Sequence, residues 1–331
     1  MRVTLFASDW NARSSAGTYA SGIRDALRGS GIEVATVYRD SYLGRRHGAF
    51  VLPMLRQFFT RYPVQDGSIL HDTWTTHALA NPDVTTSHDT RDLRPPAQDR
   101  FTSAIARQRL RHSFRVAKAT IFTTAWERDE GARIAPEVRE RFHVVPIPMW
   151  PPATVNRARR PIDVLWIGTW RERKGIDELV GLAGRQRARS FTVVSQRPPQ
   201  PDARFEALAR MPHVTLFDRG ISRAEIDGLL DSARAILSTS RWDTYQRPIV
   251  EGYLRGARPC VPRAQPYLEI YADVARDVVF YSPSEPLAID RALEEAVERG
   301  PLGPDPAFAD RMSPAVVASQ HRAIYEGIAR R

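Results

Sequence analysis

Two carboxylates, Asp243 and Glu251, stand eight positions apart in the stretch Ser-Arg-Trp-Asp-Thr-Tyr-Gln-Arg-Pro-Ile-Val-Glu, residues 240–251. Ile236-Leu237-Ser238-Thr239 before them reads as a buried parallel strand ending in hydroxyl residues. Pro248 sits where a helix opens, its missing N–H costing nothing there. Ile249, Tyr253 and Leu254 recur at helical spacing, and Gly256 closes the helix. Both carboxylates then fall at the carboxyl edge of a parallel sheet, where open α/β folds bind ligands. A carboxylate accepts two hydroxyl hydrogen bonds at once, and the N–H groups of the helix start favour an anion. A surface Asp and a structural Glu would give the same spacing.

Two further segments set reactive side chains at strand ends. Ile162–Gly168 reads as a strand, and the charged loop after it, Thr169-Trp170-Arg171-Glu172-Arg173-Lys174-Gly175, carries one of the chain's two lysines, Lys118 being the other. Val84-Thr85-Thr86-Ser87 runs into His88-Asp89-Thr90, which places an imidazole at a strand's carboxyl end. A structural or solvated histidine fits the same place, and His71-Asp72 repeats the pattern one strand earlier. Near the start, strand Val3–Ala7, a polar loop from Ser8 to Ala16, a helix from Gly17 to Leu27 and strand Ile32–Val37 make a βαβ opening. A glycine at such a helix start lets a phosphate or sugar approach the backbone, or serves packing. The opening lacks G-x-G-x-x-G, so a dinucleotide site has no support.

The stretch from Asp243 to Glu251 resembles the acidic-x7-Glu signature of the family 4 retaining glycosyltransferases, which have the GT-B fold. Pro248 and Glu251 match that signature; Asp243 stands for its first Glu, and Thr244-Tyr245-Gln246-Arg247 for its glycine loop. Gly168, Lys174 and Gly175 keep the spacing of the family's diphosphate-gripping Gly-Arg and Lys-Gly pairs. Thr169 stands where the Arg belongs, with Arg171 or Arg173 as its substitute. Ala16-Gly17 takes the place of Gly-Gly, His88-Asp89 that of Thr-x-His-Asp, and Gly220-Ile221-Ser222 that of the segment lying near the nucleotide base. The resemblance therefore implies His88, Lys174 and Asp243 as catalytic residues. It implies Gly17, Thr169, Arg171, Ile221, Tyr245, Gln246, Arg247 and Glu251 as donor-binding, with Glu251 on the ribose and Asp243 on the donor sugar. The activity implied is retaining, hexosyltransferase-type transfer without a protein nucleophile. A nucleotide-sugar is the co-substrate, a UDP-sugar before a GDP-sugar, and the acceptor is a sugar, a lipid-linked or a small molecule. No cofactor is implied, and no metal, because Asp-x-Asp is missing and cations serve instead.

The elements that must hold these residues fill the whole chain. Its 331 residues make about two domains of ordinary size. Pro146-Ile147-Pro148-Met149-Trp150-Pro151-Pro152 is the clearest linker, since proline blocks both helix and central strand. The expected architecture is α/β, of GT-B type, with two Rossmann-like domains facing a central cleft. Residues 1–150 form the acceptor-side domain and 151–312 the nucleotide-sugar domain, and a helix over 313–331 crosses back to the first. Ser222 with Glu225 reads as a capping box.

Hydrophobic residues at 42% and charged residues at 26% give the balance of a soluble globular protein. One cysteine, Cys260, excludes an internal disulfide framework and fits a reducing compartment. With no early secretory pattern and no run of about twenty apolar residues, the expected location is cytoplasmic. A net charge of +10 and a pI near 10.2 ask for an acidic partner. Residues 45–62 mix Phe50, Leu55, Phe58 and Phe59 with arginines, as a peripheral segment on an anionic membrane would; a core helix with a basic edge fits equally. Arg100, Arg107, Arg109, Arg111 and Arg115 line a basic amphipathic helix that faces solvent or an anionic acceptor. Nucleic acid has no support, for want of aromatic-interleaved basic strands or a recognition helix. The departures at Ala16, Thr169 and Thr244–Gln246 keep a second reading open: a catalytically inert GT-B relative that binds a nucleotide-sugar or a partner protein.

Overall fold

The computed structural model describes residues 1–7, 15–38, 64, 67–74, 81–88, 100–155 and 160–330. The expected membrane segment 45–62 lies outside them, as do Asp89 and Thr90. The first half of the chain runs β1 (Arg2–Ala7), α1 (Ser15–Gly29), β2 (Glu33–Tyr38), β3 (Ser68–Asp72), β4 (Val84–Ser87), α2 (Arg100–Val116), β5 (Ala119–Phe122), α3 (Ala125–Ile134) and β6 (Phe142–Val144). The second runs β7 (Ile162–Ile167), α4 (Ile176–Arg185), β8 (Phe191–Val194), α5 (Ala203–Ala209), β9 (Val214–Phe217), α6 (Arg223–Ser232), β10 (Ala233–Leu237), α7 (Arg247–Leu254), β11 (Arg258–Pro262), α8 (Tyr267–Ile270), β12 (Val279–Tyr281) and α9 (Ala288–Arg299). Two helices close the chain, α10 (Pro306–Arg311) and α11 (Pro314–Ala329).

Two compact units result, Met1–Trp150 with Asp310–Arg331, and Pro151–Ala309. The second unit ends at Ala309 rather than at 312, because Met312 already belongs to the first. Its side chain is buried and its carbonyl accepts the Met149 N–H at 2.8 Å. In the first unit a parallel six-stranded sheet has the order β2-β1-β3-β4-β5-β6. In the second the order is β12-β11-β10-β7-β8-β9, again parallel throughout. Parallel strands covered on both faces are buried along their length, and β4, β5, β8 and β11 are buried at every position, β4 with the hydroxyl side chains of Thr85, Thr86 and Ser87. Phe114, Phe122 and Phe142 pack with ring centroids 5.0–5.6 Å apart under the first sheet. Trp166, Leu179, Leu182, Phe191 and Val193 lie in the core of the second.

Local chemistry sets the helix ends. The Ser222 hydroxyl accepts the Glu225 N–H while the Glu225 carboxylate accepts the Ser222 N–H, a complete capping box on α6. Ser313 caps α11, and Pro314 occupies its first turn. Gly256 ends α7 with φ of +88°, where a Cβ would lie 2.5 Å from Val155 and 2.8 Å from the Leu302 carbonyl oxygen. The strand expected over Ile236–Thr239 is displaced toward the N-terminus: β10 starts at Ala233 and stops at Leu237. Just beyond its end the Ser238 N–H still donates to the Cys260 carbonyl of β11 at 2.9 Å, while the Ser238 and Thr239 hydroxyls reach Gln246 and the Lys174 carbonyl. Residues 301–305 form a loop, and Pro306 opens α10.

Candidate active site

In the second unit the strand order reverses between β7 and β10, and such a switch point leaves a crevice beyond the strand ends. The loops that follow these two strands carry Lys174 and Asp243. A 3-10 turn over Glu172–Lys174 begins at Arg171, and Gly175 after it is left-handed, with φ 65° and ψ 52°. A Cβ on Gly175 would stand 1.9 Å from the Thr239 carbonyl oxygen, so only glycine lets this turn lie against the chain leaving β10. The contact is stitched by Thr239 Oγ1, which donates to the Lys174 carbonyl at 2.7 Å and accepts the Trp166 indole N–H at 3.0 Å. The Arg241 N–H donates to the Arg173 carbonyl at 3.1 Å.

This packing brings Lys174 Nζ onto Asp243 Oδ2 as an ion pair whose side chains are 11% and 9% exposed. Asp243 Oδ1 also accepts the Thr244 N–H at 3.0 Å. A pair buried to this degree needs both partners, since removing either leaves an uncompensated charge.

The second motif carboxylate is held differently. Arg223 Nη1 donates to both oxygens of Glu251, at 2.8 and 3.0 Å, and Arg247 Nε donates to Oε1 at 2.7 Å. Three of the roughly four acceptor positions of a carboxylate are thereby used. Arg223 also pairs with Asp227, and Arg255 pairs with Asp227 and Asp231, so alternating charges tie α6 to α7. Arg247 Nη1 is buried with no hydrogen-bond partner among the described residues.

The other expected donor residues are less concentrated. Thr169 and Arg171 are exposed, and Arg171 has no acidic partner among the described residues. Arg173 instead lies over the Trp242 ring, 5.6 Å from its centroid. Gln246 is buried and braces the loop, its Oε1 accepting from Ser238 Oγ and from Tyr267 OH. Tyr245 is buried as well, and Ile221 is half-buried just before the Ser222 cap. Arg223 was not among the expected site residues, and a position 28 residues before Glu251 gives no local signal of the pairing.

In the first unit the order reverses between β1 and β3, and the chain leaving β3 carries Trp74. Trp74 stacks on His88 at 4.3 Å between centroids, and Tyr19 of α1 meets the same imidazole edge-on at 4.4 Å. Enclosed between these rings, His88 is pushed by burial down to about 3 and is neutral at pH 7. Gly17 lies buried in the first turn of α1, two residues before Tyr19. No group of three or more His, Cys, Asp or Glu side chains that could hold a metal ion occurs among the described residues.

No family model matches the chain, and no curated protein matches it in sequence. Solved structures do match. Sucrose-phosphate synthase from Thermosynechococcus elongatus is 16% identical, over 99% of this chain and 96% of that one, with a TM-score of 0.66. The catalytic domain of starch synthase IV from Arabidopsis thaliana, bound to ADP and acarbose, is 13% identical over 100% and 99% of the two chains, also at 0.66. Anabaena HepE, in complex with UDP and glucose, is 14% identical over 100% and 98%, at 0.59. At these identities the likeness is one of fold. The chain is an α/β protein of GT-B architecture, built from two Rossmann-like units.

Proposed function

We propose that this protein transfers a sugar from a nucleotide-sugar donor to an acceptor hydroxyl with retention of configuration, as a hexosyltransferase of the family 4 kind. The observation that carries the reading is the meeting of Lys174 and Asp243 at the switch point of the second unit. Cleavage of the bond between the anomeric carbon and the phosphate oxygen leaves its electron pair on the diphosphate and an oxocarbenium-like sugar behind. A diphosphate reaching Lys174 replaces Asp243 as the partner of Nζ, and the charge that grows on the leaving group is stabilised there. Asp243, released, accepts a hydroxyl of the donor sugar. The acceptor oxygen bonds to the anomeric carbon on the face the phosphate leaves, and its proton passes to the leaving phosphate oxygen.

Arg247 and Arg171 compensate for Thr169. The buried Nη1 of Arg247, without a partner among the described residues, is a donor for an anionic oxygen. Glu251, held by Arg223 and Arg247, keeps about one acceptor position for a ribose hydroxyl. Neutral His88 serves the sugar as a hydrogen-bonding group rather than as a base.

Structural neighbours bound to UDP and to ADP support a nucleoside diphosphate as the common ligand. The test is a panel of UDP-, ADP- and GDP-sugars with sugar and lipid-linked acceptors, read as nucleoside diphosphate released; we expect a UDP-sugar to lead. Binding of a donor without release from any panel member would replace this reading with the second one, a non-catalytic nucleotide-sugar-binding protein. The nearly filled Glu251 is the observation that favours it.

A further inference from the structure

We propose that His71 is a positioning residue, which ties the C-terminal helix α11 to the imidazole of His88 through Thr86 and Tyr19. His71 sits in β3, fully buried, and both ring nitrogens are engaged. Nδ1 lies 2.8 Å from the Tyr325 hydroxyl of α11, and Nε2 lies 2.8 Å from Thr86 Oγ1 of β4. Thr86 Oγ1 also accepts the Tyr19 hydroxyl of α1 at 3.2 Å. The Tyr19 ring then forms the edge-on wall of the His88 slot. The opposite wall, Trp74, is set from the same strand as His71, its N–H donating to Asp72 Oδ1 at 3.1 Å. A continuous row of polar contacts thus starts on the last helix of the chain and ends on the aromatic slot that holds His88.

A purely structural account is that His71 fills a core position. Apolar residues would fill it without needing hydrogen-bond partners, whereas each buried polar group in this row is costly unless it is bonded. The row is therefore specific in direction as well as in volume. His321, one turn before Tyr325 on α11, closes the other side. Its Nδ1–H donates to the Val317 carbonyl at 2.9 Å, and its ring lies 5.9 Å from that of His71. The proposal rests on the transfer reading only where it gives His88 work at the sugar; the wiring itself does not depend on it.

The test compares Tyr325→Phe, His71→Leu and His71→Gln with the wild type, by NMR of 15N-labelled histidine rings and by steady-state nucleoside diphosphate release with the donor found in the panel. We expect Tyr325→Phe and His71→Leu to shift the His88 ring signals. Both should lower kcat about tenfold with donor KM kept within about twofold, and His71→Gln, which bonds on both sides, should recover most of the loss. His88 signals that stay in place in both variants would overturn the wiring. Shifted signals with an unchanged kcat would overturn the positioning role. If His71→Leu fails to fold, Tyr325→Phe, which deletes one oxygen, decides alone. A wild type that releases no nucleotide removes the transfer reading, and the NMR arm then decides the wiring.

Discussion

At position 175 the backbone is left-handed and the Thr239 carbonyl oxygen occupies the space of a side chain, 1.9 Å from where a Cβ would be. Gly175→Ala should therefore add displacement of the turn to the usual left-handed cost of about 1–2 kcal/mol, and a loss of roughly 3 kcal/mol or more is expected in urea unfolding. Gly31→Ala, with φ +77° but nothing within 4 Å, should show the left-handed cost alone. The neighbouring Lys174 gives a sharper contrast. Lys174→Ala strands a buried Asp243 carboxylate, which typically costs about 3–5 kcal/mol. The pair Lys174→Met with Asp243→Asn removes both charges at similar volume and should restore most of that stability. It should still turn over at least about a hundredfold more slowly than the wild type, about 2.7 kcal/mol in the barrier. A double variant with full turnover would remove Lys174 from the leaving-group role. The identity and spacing of Lys174 and Asp243 were legible in the sequence; their pairing was not, because 69 residues separate them and only the β7–β10 adjacency joins them.

Among the elements, α11 shows what burial does to titration. His321 is fully buried and pushed down to about 4, His88 between its rings to about 3, and burial also holds His71 well below the ordinary value near 6.5. The unfolded chain thus takes up protons first. Stability from these groups is complete above about pH 6.5 and falls as pH drops toward their folded values, by up to about 1.4 kcal/mol per pH unit for each histidine that stays neutral. Urea midpoints should decline from pH 6.5 to 4.5, and His321→Leu should flatten part of the decline; an unchanged slope in that variant would remove His321 from the account. The helix itself was legible from Ser313-Pro314, as were α6 from its capping box and the parallel strands from their apolar runs. The 3-10 turn at Glu172–Lys174 and helix α5 were not. Elements this short show no period, and what fixes them is tertiary: Asp202 caps α5 while accepting the Trp170 indole N–H from another loop.

For the whole molecule the charge of +10 remains the broadest constraint. Helix α2 carries arginines without a single acidic residue, and Glu137 is shared by Arg111 and Arg115, which leaves Arg107 exposed. The expected contact with an anionic surface is open to a direct test. Vesicles rich in acidic lipid should bind the protein at low salt and release it as ionic strength rises, and Arg107→Glu with Arg115→Glu should weaken that binding. Equal binding to neutral vesicles would end the idea. No described helix is long and apolar enough to cross a membrane. Arginine dominance has another side. Of the two lysines, Lys118, exposed beside Asp83, is open to an amine-directed acylating reagent, and Lys174, enclosed with Asp243, is sealed. Lys118 is an internal clock for reagent strength, and the lag of Lys174 behind it measures how often the buried pair comes apart. The two lysines make the protein its own gauge of opening at the switch point, readable by mass before any substrate is known.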